Sequence, residues 1–249
     1  MSLIKRFERN LVGRDFAVGD IHGYFTRLQV ALDAAGFDPT RDRLFSVGDL
    51  VDRGPESEQV LAWLDKPWFH AIQGNHEGIA VRHVQIGHLD QDIYLLNGGA
   101  WFLGLPSAEQ QEIATRFADL PIAIEVQTAA GLVGLVHADC PFPSWTTLRD
   151  ALEGRMSGLR GAEDACQWSR HRVEQQDASG VQDILAVVVG HTPLRQPAVL
   201  GNVYYIDTGG WFRDGSGHFT LLDMATLQSI PPMPVRLDWE DGSEEVNRG

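Results

Sequence analysis

The chain has 249 residues, 43% hydrophobic and 22% charged, with 34 acidic against 20 basic side chains and a net charge of −14. That length can bury a large core in one or two domains, and the acidic balance excludes the basic stripe that a nucleic-acid groove requires. There is no apolar run near the roughly 18 residues that cross a bilayer, and two cysteines without a CxxC, Cys140 and Cys166, exclude a disulfide framework and a thiolate zinc site.

Met1 to Asn10 is polar and lacks the apolar stretch of a signal peptide, so a soluble, cytoplasmic protein is expected. Phe16-Ala17-Val18-Gly19 then reads as a short buried strand leading into Asp20. Tyr24 to Ala35 reads as a helix with Leu28, Ala31, Leu32 and Ala35 on one face and Gly36 at its end. Leu44 to Gly48 is a second strand, leading into Asp49. Pro55 opens a helix to about Asp65. Phe69 to Gly74 is a third strand, leading into Asn75, and a helix starts at Asn75 or His76. Ser107 is expected to cap a helix to about Leu120, with Gln110 completing a capping box. Leu132 to Val136 leads into His137, and Ile184 to Gly190 into His191. The segments near Val199, Val203–Ile206 and His218–Leu222 alternate more like an antiparallel sheet.

Strands alternating with helices imply an α/β fold. The expected architecture is two mixed β-sheets packed face to face and flanked by helices, in one domain over residues 13–230. Residues 231–249, with Asp238, Glu240, Asp241, Glu244 and Glu245, are expected to be an acidic, solvated tail.

Ligands of open α/β folds bind beyond the carboxyl ends of the strands. Five strand ends here deliver an Asp, an Asp, an Asn, a His and a His. Asp20-Ile21-His22 alone is a weak signal, since an N-cap aspartate beside a surface histidine looks the same. The flanking Gly19 and Gly23, and the later turns Gly48-Asp49-Leu50-Val51-Asp52-Arg53-Gly54 and Gly74-Asn75-His76-Glu77, change that. Mixed Asp, His and Asn donors suit borderline-hard divalent ions such as Mn, Fe or Zn.

The trio GDIHG, GDLVDRG and GNHE resembles the signature of the metallophosphoesterases, in particular PPP-type serine/threonine protein phosphatases of the bacterial and bacteriophage lambda branch. The resemblance continues through LLNGGAWF, VHADCPF, WSRHR, GHTP and YIDTGG, to about residue 223. It implies a calcineurin-like fold and two divalent metal ions, with Mn preferred and Fe or Zn open. Asp20, His22 and Asp49 would hold one ion; Asp49, Asn75, His137 and His191 would hold the other. A bridging Asp49 fits ions about 3.5–4 Å apart, which activate a shared hydroxide for direct attack on phosphorus. His76 is then the candidate general acid for the leaving alkoxide, and Asp52 the carboxylate that fixes its tautomer. Arg53 and Arg170 are the candidate phosphate clamp, with Arg172 the alternative to Arg170.

Other residues have plainer readings. His70, His83, His88, His171 and His218 lie outside the motifs. Trp63, Trp68 and Trp101 read as core, while Trp145 and Trp211 have positions that suit a cleft. Asp139 orients the ligand His137 or is a turn residue, Asp207 reads as a turn with a hydrogen bond to a ligand histidine the alternative, and Glu77 is the start of a helix where its charge suits the dipole. The implied function is hydrolysis of phosphoserine and phosphothreonine, with phosphotyrosine a further substrate, by a monomer or weak oligomer. Symmetric dinucleoside tetraphosphate hydrolysis is the alternative enzyme. Members of that group tend to have Ala at the place of Asp52 and Asp at the place of Glu77, unlike this chain. A catalytically inactive docking module is the alternative of another class, and the filled ligand positions oppose it.

Overall fold

The computed structural model describes residues 2–87, 91–155 and 161–231. Within them the strands are β1 (Ile4–Phe7), β2 (Asp15–Val18), β3 (Arg43–Ser46), β4 (Phe69–Ala71), β5 (Ala123–Gln127), β6 (Leu132–Val136), β7 (Ala186–Val189), β8 (Ala198–Leu200), β9 (Val203–Tyr205), β10 (Leu221–Asp223) and β11 (Gln228–Ile230). One sheet runs β1-β5-β6-β7-β9-β8 and the other β11-β10-β2-β3-β4. Both mix parallel and antiparallel pairs, as expected. β1 lies ahead of residue 13 and runs parallel to β5 at the sheet edge.

Side-chain alternation explains the layers. Successive residues of a strand point to opposite faces. Ala17 and Phe45 meet Val133, Leu135, Ala186 and Val188 between the sheets. Phe16, Val18 and Leu44 instead join the helix-covered core on the outer face of the five-stranded sheet. Val136, Val187 and Val189 do the same on the outer face of the other. Both faces are buried, so these strands read as unbroken apolar runs.

The helices are α1 (Phe25–Ala34), α2 (Val60–Leu64), α3 (Asn75–Ile86), α4 (Gln91–Leu96), α5 (Ala100–Leu103), α6 (Ser107–Ala118), α7 (Trp145–Leu152), α8 (Ala162–Trp168) and α9 (His171–Gln175). α1 buries Phe25, Leu28 and Leu32 and ends before Gly36, whose φ of +62° suits glycine. Pro55 does not open a regular helix. Ser57–Gln59 form a 3₁₀ turn before α2, and Ser57 Oγ accepts the Asp52 amide at 2.9 Å.

The capping box expected at Ser107 is absent. Pro106 is the N-cap of α6, in an extended conformation, and Ser107 is already helical. Proline fixes φ one residue early, so the serine hydroxyl falls inside the first turn. Gln110 turns back and donates to the Leu105 carbonyl at 2.9 Å. The late strands are partly antiparallel: β8 to β9 and β10 to β2 are, but β9 runs parallel to β7. The acidic tail beyond 231, and His88, lie outside the described residues.

Candidate active site

Strands β2, β3 and β4 are parallel, with Val18 beside Ser46 and Ser46 beside Ala71. The turns beyond them bring Asp20, His22, Asp49 and Asn75 to one edge. β6, β7 and β9 are parallel in the second sheet, with Leu135 beside Val188 and Val189 beside Tyr205. Their turns bring His137, His191 and Asp207 to the same place. All seven side chains are buried.

The turns are unusual in their backbone. His22, Asp49, Asp52, Arg53 and His191 all have φ between 45° and 70°. Non-glycine residues adopt this left-handed region at a cost of order 1–2 kcal/mol each. Tight approach also needs glycine at two places. A Cβ on Gly74 would lie 2.3 Å from Asp49 Oδ1, and one on Gly190 would lie 2.2 Å from Asp20 Oδ1.

Asp49 Oδ2 is the centre of the cluster. It lies 3.4 Å from His137 Nε2, 3.6 Å from His22 Nε2 and 3.8 Å from His76 Nε2. His137 Nε2 is 2.8 Å from Asn75 Oδ1, and His191 Nδ1 is 3.0 Å from the same oxygen. Among the described residues, two groups have their donor atoms within 4.8 Å of one another: His22, Asp49 and His76, and Asp49, His137 and His191. Asp20 stands outside both. Its oxygens accept the His191 amide at 3.0 and 3.2 Å.

The donor set fits bound cations. His22 Nδ1 is 2.8 Å from the Val51 carbonyl, and His137 Nδ1 is 2.7 Å from the Val47 carbonyl. A carbonyl only accepts, so each Nδ1 carries the proton and each Nε2 presents a lone pair. Both lone pairs face the Asp49 carboxylate. Such an array of acceptors repels itself unless a positive charge lies between them. Asp207 Oδ2 adds a buried oxygen without a hydrogen-bond partner.

The electrostatics agree. Burial, then the charges of Asp207 and Asp49, push the Asp20 carboxyl well up. Burial pushes Asp207 up to about 6. Burial and then His76 and Arg53 hold His22 well below the ordinary histidine range, and burial with His137 holds His191 down at about 3. Burial opposes ionisation of Asp49 too, but His137 and His76 outweigh it and keep that carboxyl low. For His76, burial is outweighed by Asp49 and Asp52, and its pKa is raised. At His137 too, burial is outweighed by Asp49 and the pKa is raised, so His22 and His191 are the imidazoles that burial holds neutral. Buried carboxyls set among histidines have the composition of a metal cage.

Around this centre, His76 Nδ1 meets Asp52 Oδ2 at 2.6 Å, so Nδ1 donates and Nε2 faces the cluster. The Trp101 indole donates to Asp52 Oδ1 at 2.7 Å. That role was not legible in the sequence, where Trp101 reads as core. Arg53 is half-buried, its Nη2 is 3.5 Å from His76 Nε2, and its guanidinium lies 4.5 Å over the Trp211 ring. Trp211 also meets His22 edge-on, at 4.7 Å between centroids. Trp145 lines nothing. It is fully buried and donates to Glu125 at 2.7 Å.

The two candidate arginines separate clearly. Arg170 is exposed and its Nη2 points at the His191 carbonyl at 3.5 Å. Arg172 is buried and its Nε donates to Asp139 Oδ1 at 2.8 Å. That pair accounts for Asp139, which bonds Arg172 and the Cys140 amide.

Glu77 does more than begin a helix. It is fully buried, and its carboxylate accepts three amides: Asp49 (2.9 Å), Leu50 (2.8 Å) and Gly74 (2.8 Å). It thereby fastens the Asp49 turn to the start of α3. Burial pushes its carboxyl up to about 7, with the Asp49 charge adding to this. Asp207 likewise is no mere turn. Its Oδ1 accepts from the Gly209 amide at 3.0 Å and the Trp211 indole at 3.3 Å. The signal for Asp207 was its place at a strand end, like the other aspartates.

Residues 16–205 match the family of calcineurin-like phosphoesterases. The chain is 36% identical over 200 residues to serine/threonine-protein phosphatase 2 of Escherichia coli strain K12, covering 78% of this chain and 86% of that protein. It is 36% identical over 247 residues to the symmetrical bis(5'-nucleosyl)-tetraphosphatase of Dechloromonas aromatica strain RCB, covering 90% of this chain and 81% of that protein. Its fold resembles a protein serine/threonine phosphatase from Saccharomyces cerevisiae, with a TM-score of 0.58 at 15% identity, over 90% of this chain and 77% of that one.

Proposed function

This chain belongs to the calcineurin-like phosphoesterases, and from that premise we propose that it is a metal-dependent serine/threonine protein phosphatase, a phosphoric monoester hydrolase. The observation that carries the reading is the His76–Asp52 contact at 2.6 Å beside the Asp49-centred donor cluster. A phosphomonoester of serine or threonine leaves as an alkoxide and needs a proton, and a histidine held by a carboxylate supplies one.

In this reading Asp20, His22 and Asp49 hold one divalent cation. Asp49, Asn75, His137 and His191 hold the second, and manganese is the proposed metal. When bound, the pair activates water as nucleophile and neutralises charge on the phosphoryl oxygens. Asp52 keeps the His76 Nδ1 proton in place, and the Trp101 indole holds Asp52. His76 Nε2 then points at the site to protonate the leaving oxygen. Arg53 and Arg170 orient the phosphate from two sides; bidentate guanidinium–phosphate pairs add direction as well as energy. Arg172, committed to Asp139, is not offered for this role. Residues 13–230 are proposed as the catalytic domain, β1 adding an edge strand, with 231–249 an acidic tail. No helix of the described residues is long and apolar enough to cross a membrane. A cytoplasmic place and a monomer or weak oligomer are proposed.

Tetraphosphate hydrolysis remains the second reading because of the Dechloromonas aromatica relative. Asp52 argues against it: a nucleotide is a better leaving group than an alkoxide and needs the histidine–carboxylate pair less. Side-by-side turnover of a phosphoserine peptide and diadenosine tetraphosphate, with manganese and then with chelator, tests the choice. Chelator-sensitive preference for the peptide is expected; preference for the nucleotide would reverse the assignment.

A further inference from the structure

Resting on the phosphoprotein reading, we propose that Arg213 selects substrates that carry a second anionic group close to the phosphorylated residue. Arg213 is exposed, and its Nη2 donates to the Arg53 carbonyl at 2.9 Å. Arg53 is the proposed phosphate clamp, so a second guanidinium is fastened to that residue's own backbone. The loop that carries it is held on the other side by Arg27, whose Nη1 donates to the Phe212 carbonyl at 2.7 Å. Trp211, under the Arg53 guanidinium, is anchored through Asp207. The loop therefore presents Arg213 at a fixed place on the rim.

The charge around it is the second observation. Among the described residues, Arg53, Arg170 and Arg213 have no carboxylate within 4.0 Å, as is also true of Arg9, Arg27 and Arg41, whereas Arg14, Arg43 and Arg149 each pair with one and Arg6 and Arg172 with two. The nearby Asp214 carboxylate is engaged by the Ser216 amide and hydroxyl, at 2.9 and 2.8 Å. On a chain of net charge −14, three guanidiniums without a close carboxylate favour an anion at this site. The phosphate itself is served by Arg53 and Arg170, so Arg213 is in excess of what a lone phosphate uses. Residues of an extended peptide are spaced by about 3.3–3.6 Å. An acidic or phosphorylated residue one to three places from the phosphoresidue lies roughly 3–11 Å from it, within reach of a guanidinium held at the Arg53 carbonyl.

The test uses the full chain loaded with manganese and three phosphoserine peptides of equal length, flanked by Asp, by Asn or by Lys. The parent is expected to show kcat/KM about three- to fivefold higher for the Asp peptide than for the Asn peptide, the scale of an exposed ion pair, mostly through KM. Arg213→Gln is expected to lose that preference, and Arg213→Lys, which keeps the charge, to retain it. Equal kcat/KM for Asp and Asn peptides in the parent, or a preference that survives in Arg213→Gln, would overturn the proposal. So would Arg213→Gln lowering turnover of diadenosine tetraphosphate alone, which points to a nucleotide phosphate as the bound anion. If para-nitrophenyl phosphate is hydrolysed but no phosphopeptide is, the protein phosphatase reading fails and this inference fails with it.

Discussion

Replacing Glu77 by Gln isolates a carboxylate that ties two ligand turns together. Its Oε2 accepts the Asp49 and Gly74 amides and its Oε1 accepts the Leu50 amide. A glutamine of the same shape has one acceptor oxygen. Its best orientation puts that oxygen where Oε2 was and turns the NH₂ group toward the Leu50 amide. One buried N–H is then unpaired, at about 1–3 kcal/mol. For a domain of this size each kcal/mol moves Tm by about 2–4 °C, so a fall of about 2–12 °C is expected. Glu77→Ala leaves three amides unpaired, about 3–9 kcal/mol by the same count. That rivals the whole stability of a domain, about 5–15 kcal/mol, so this variant is expected to fold poorly or not at all. Thermal unfolding in chelator at about pH 8.5, above the pKa of about 7 at which Glu77 ionises, reads the packing loss without metal. A manganese titration of the folded Gln variant reads the displaced Asp49 turn as weaker binding. A Tm in chelator within about 1 °C of the parent would refute the three-amide account of Glu77.

The other predictions address single groups. His76→Asn should keep metal binding while lowering kcat for a phosphoserine peptide by about 10²–10⁴-fold. It should cost much less for para-nitrophenyl phosphate, whose leaving group needs little protonation; equal losses on both would remove His76 as the acid. Arg172→Ala should destabilise by about 3–5 kcal/mol in thermal melts, because Asp139 is left buried and unpaired. Arg170→Ala should leave Tm near the parent and raise KM several-fold; the opposite pattern would exchange their roles. His70 lies between Phe7 and Phe45, and burial with the Lys5 and Arg43 charges holds its pKa down at about 4 against 6.5 for the free side chain. The folded pKa is below the unfolded one, so this stability is full above pH 6.5 and lost as pH falls toward 4. Denaturant melts across pH 4–7 should show that slope, and His70→Leu should flatten it; an unchanged slope assigns it to other groups.

The sequence made some of this legible and hid the rest for physical reasons. The strand ends at Asp20, Asp49, Asn75 and His191 stood out because a buried strand that must turn at once into a polar ligand leaves a glycine beside it, whereas His137, between Val136 and Ala138, stood out only as the polar end of an apolar run. The two-sheet architecture followed from apolar runs too short for helices and too unbroken for half-exposed strands. Glu77 and Trp101 were hidden because their partners are the amides of Asp49, Leu50 and Gly74 in one case and the carboxylate of Asp52 in the other. No local pattern encodes such pairings. Arg170 and Arg172, two residues apart, look alike in sequence, and only burial beside Asp139 separates them. Ser107 failed as a cap because Pro106 had already fixed the entry of α6, a competition that a motif of spaced residues does not register.

The two sheets divide the ligands unevenly along the chain, and this bears on how the protein is made. Asp20, His22, Asp49 and Asn75 all emerge from the ribosome in the first third of the sequence, on strands β2, β3 and β4 that pair in order. A nascent chain can thus arrange one side of the site early. His137 and His191 come much later and reach it only when β6 and β7 have paired and the second sheet has docked. A chain released before residue 191 therefore carries an incomplete cage, and the ability to hydrolyse arrives together with the finished fold.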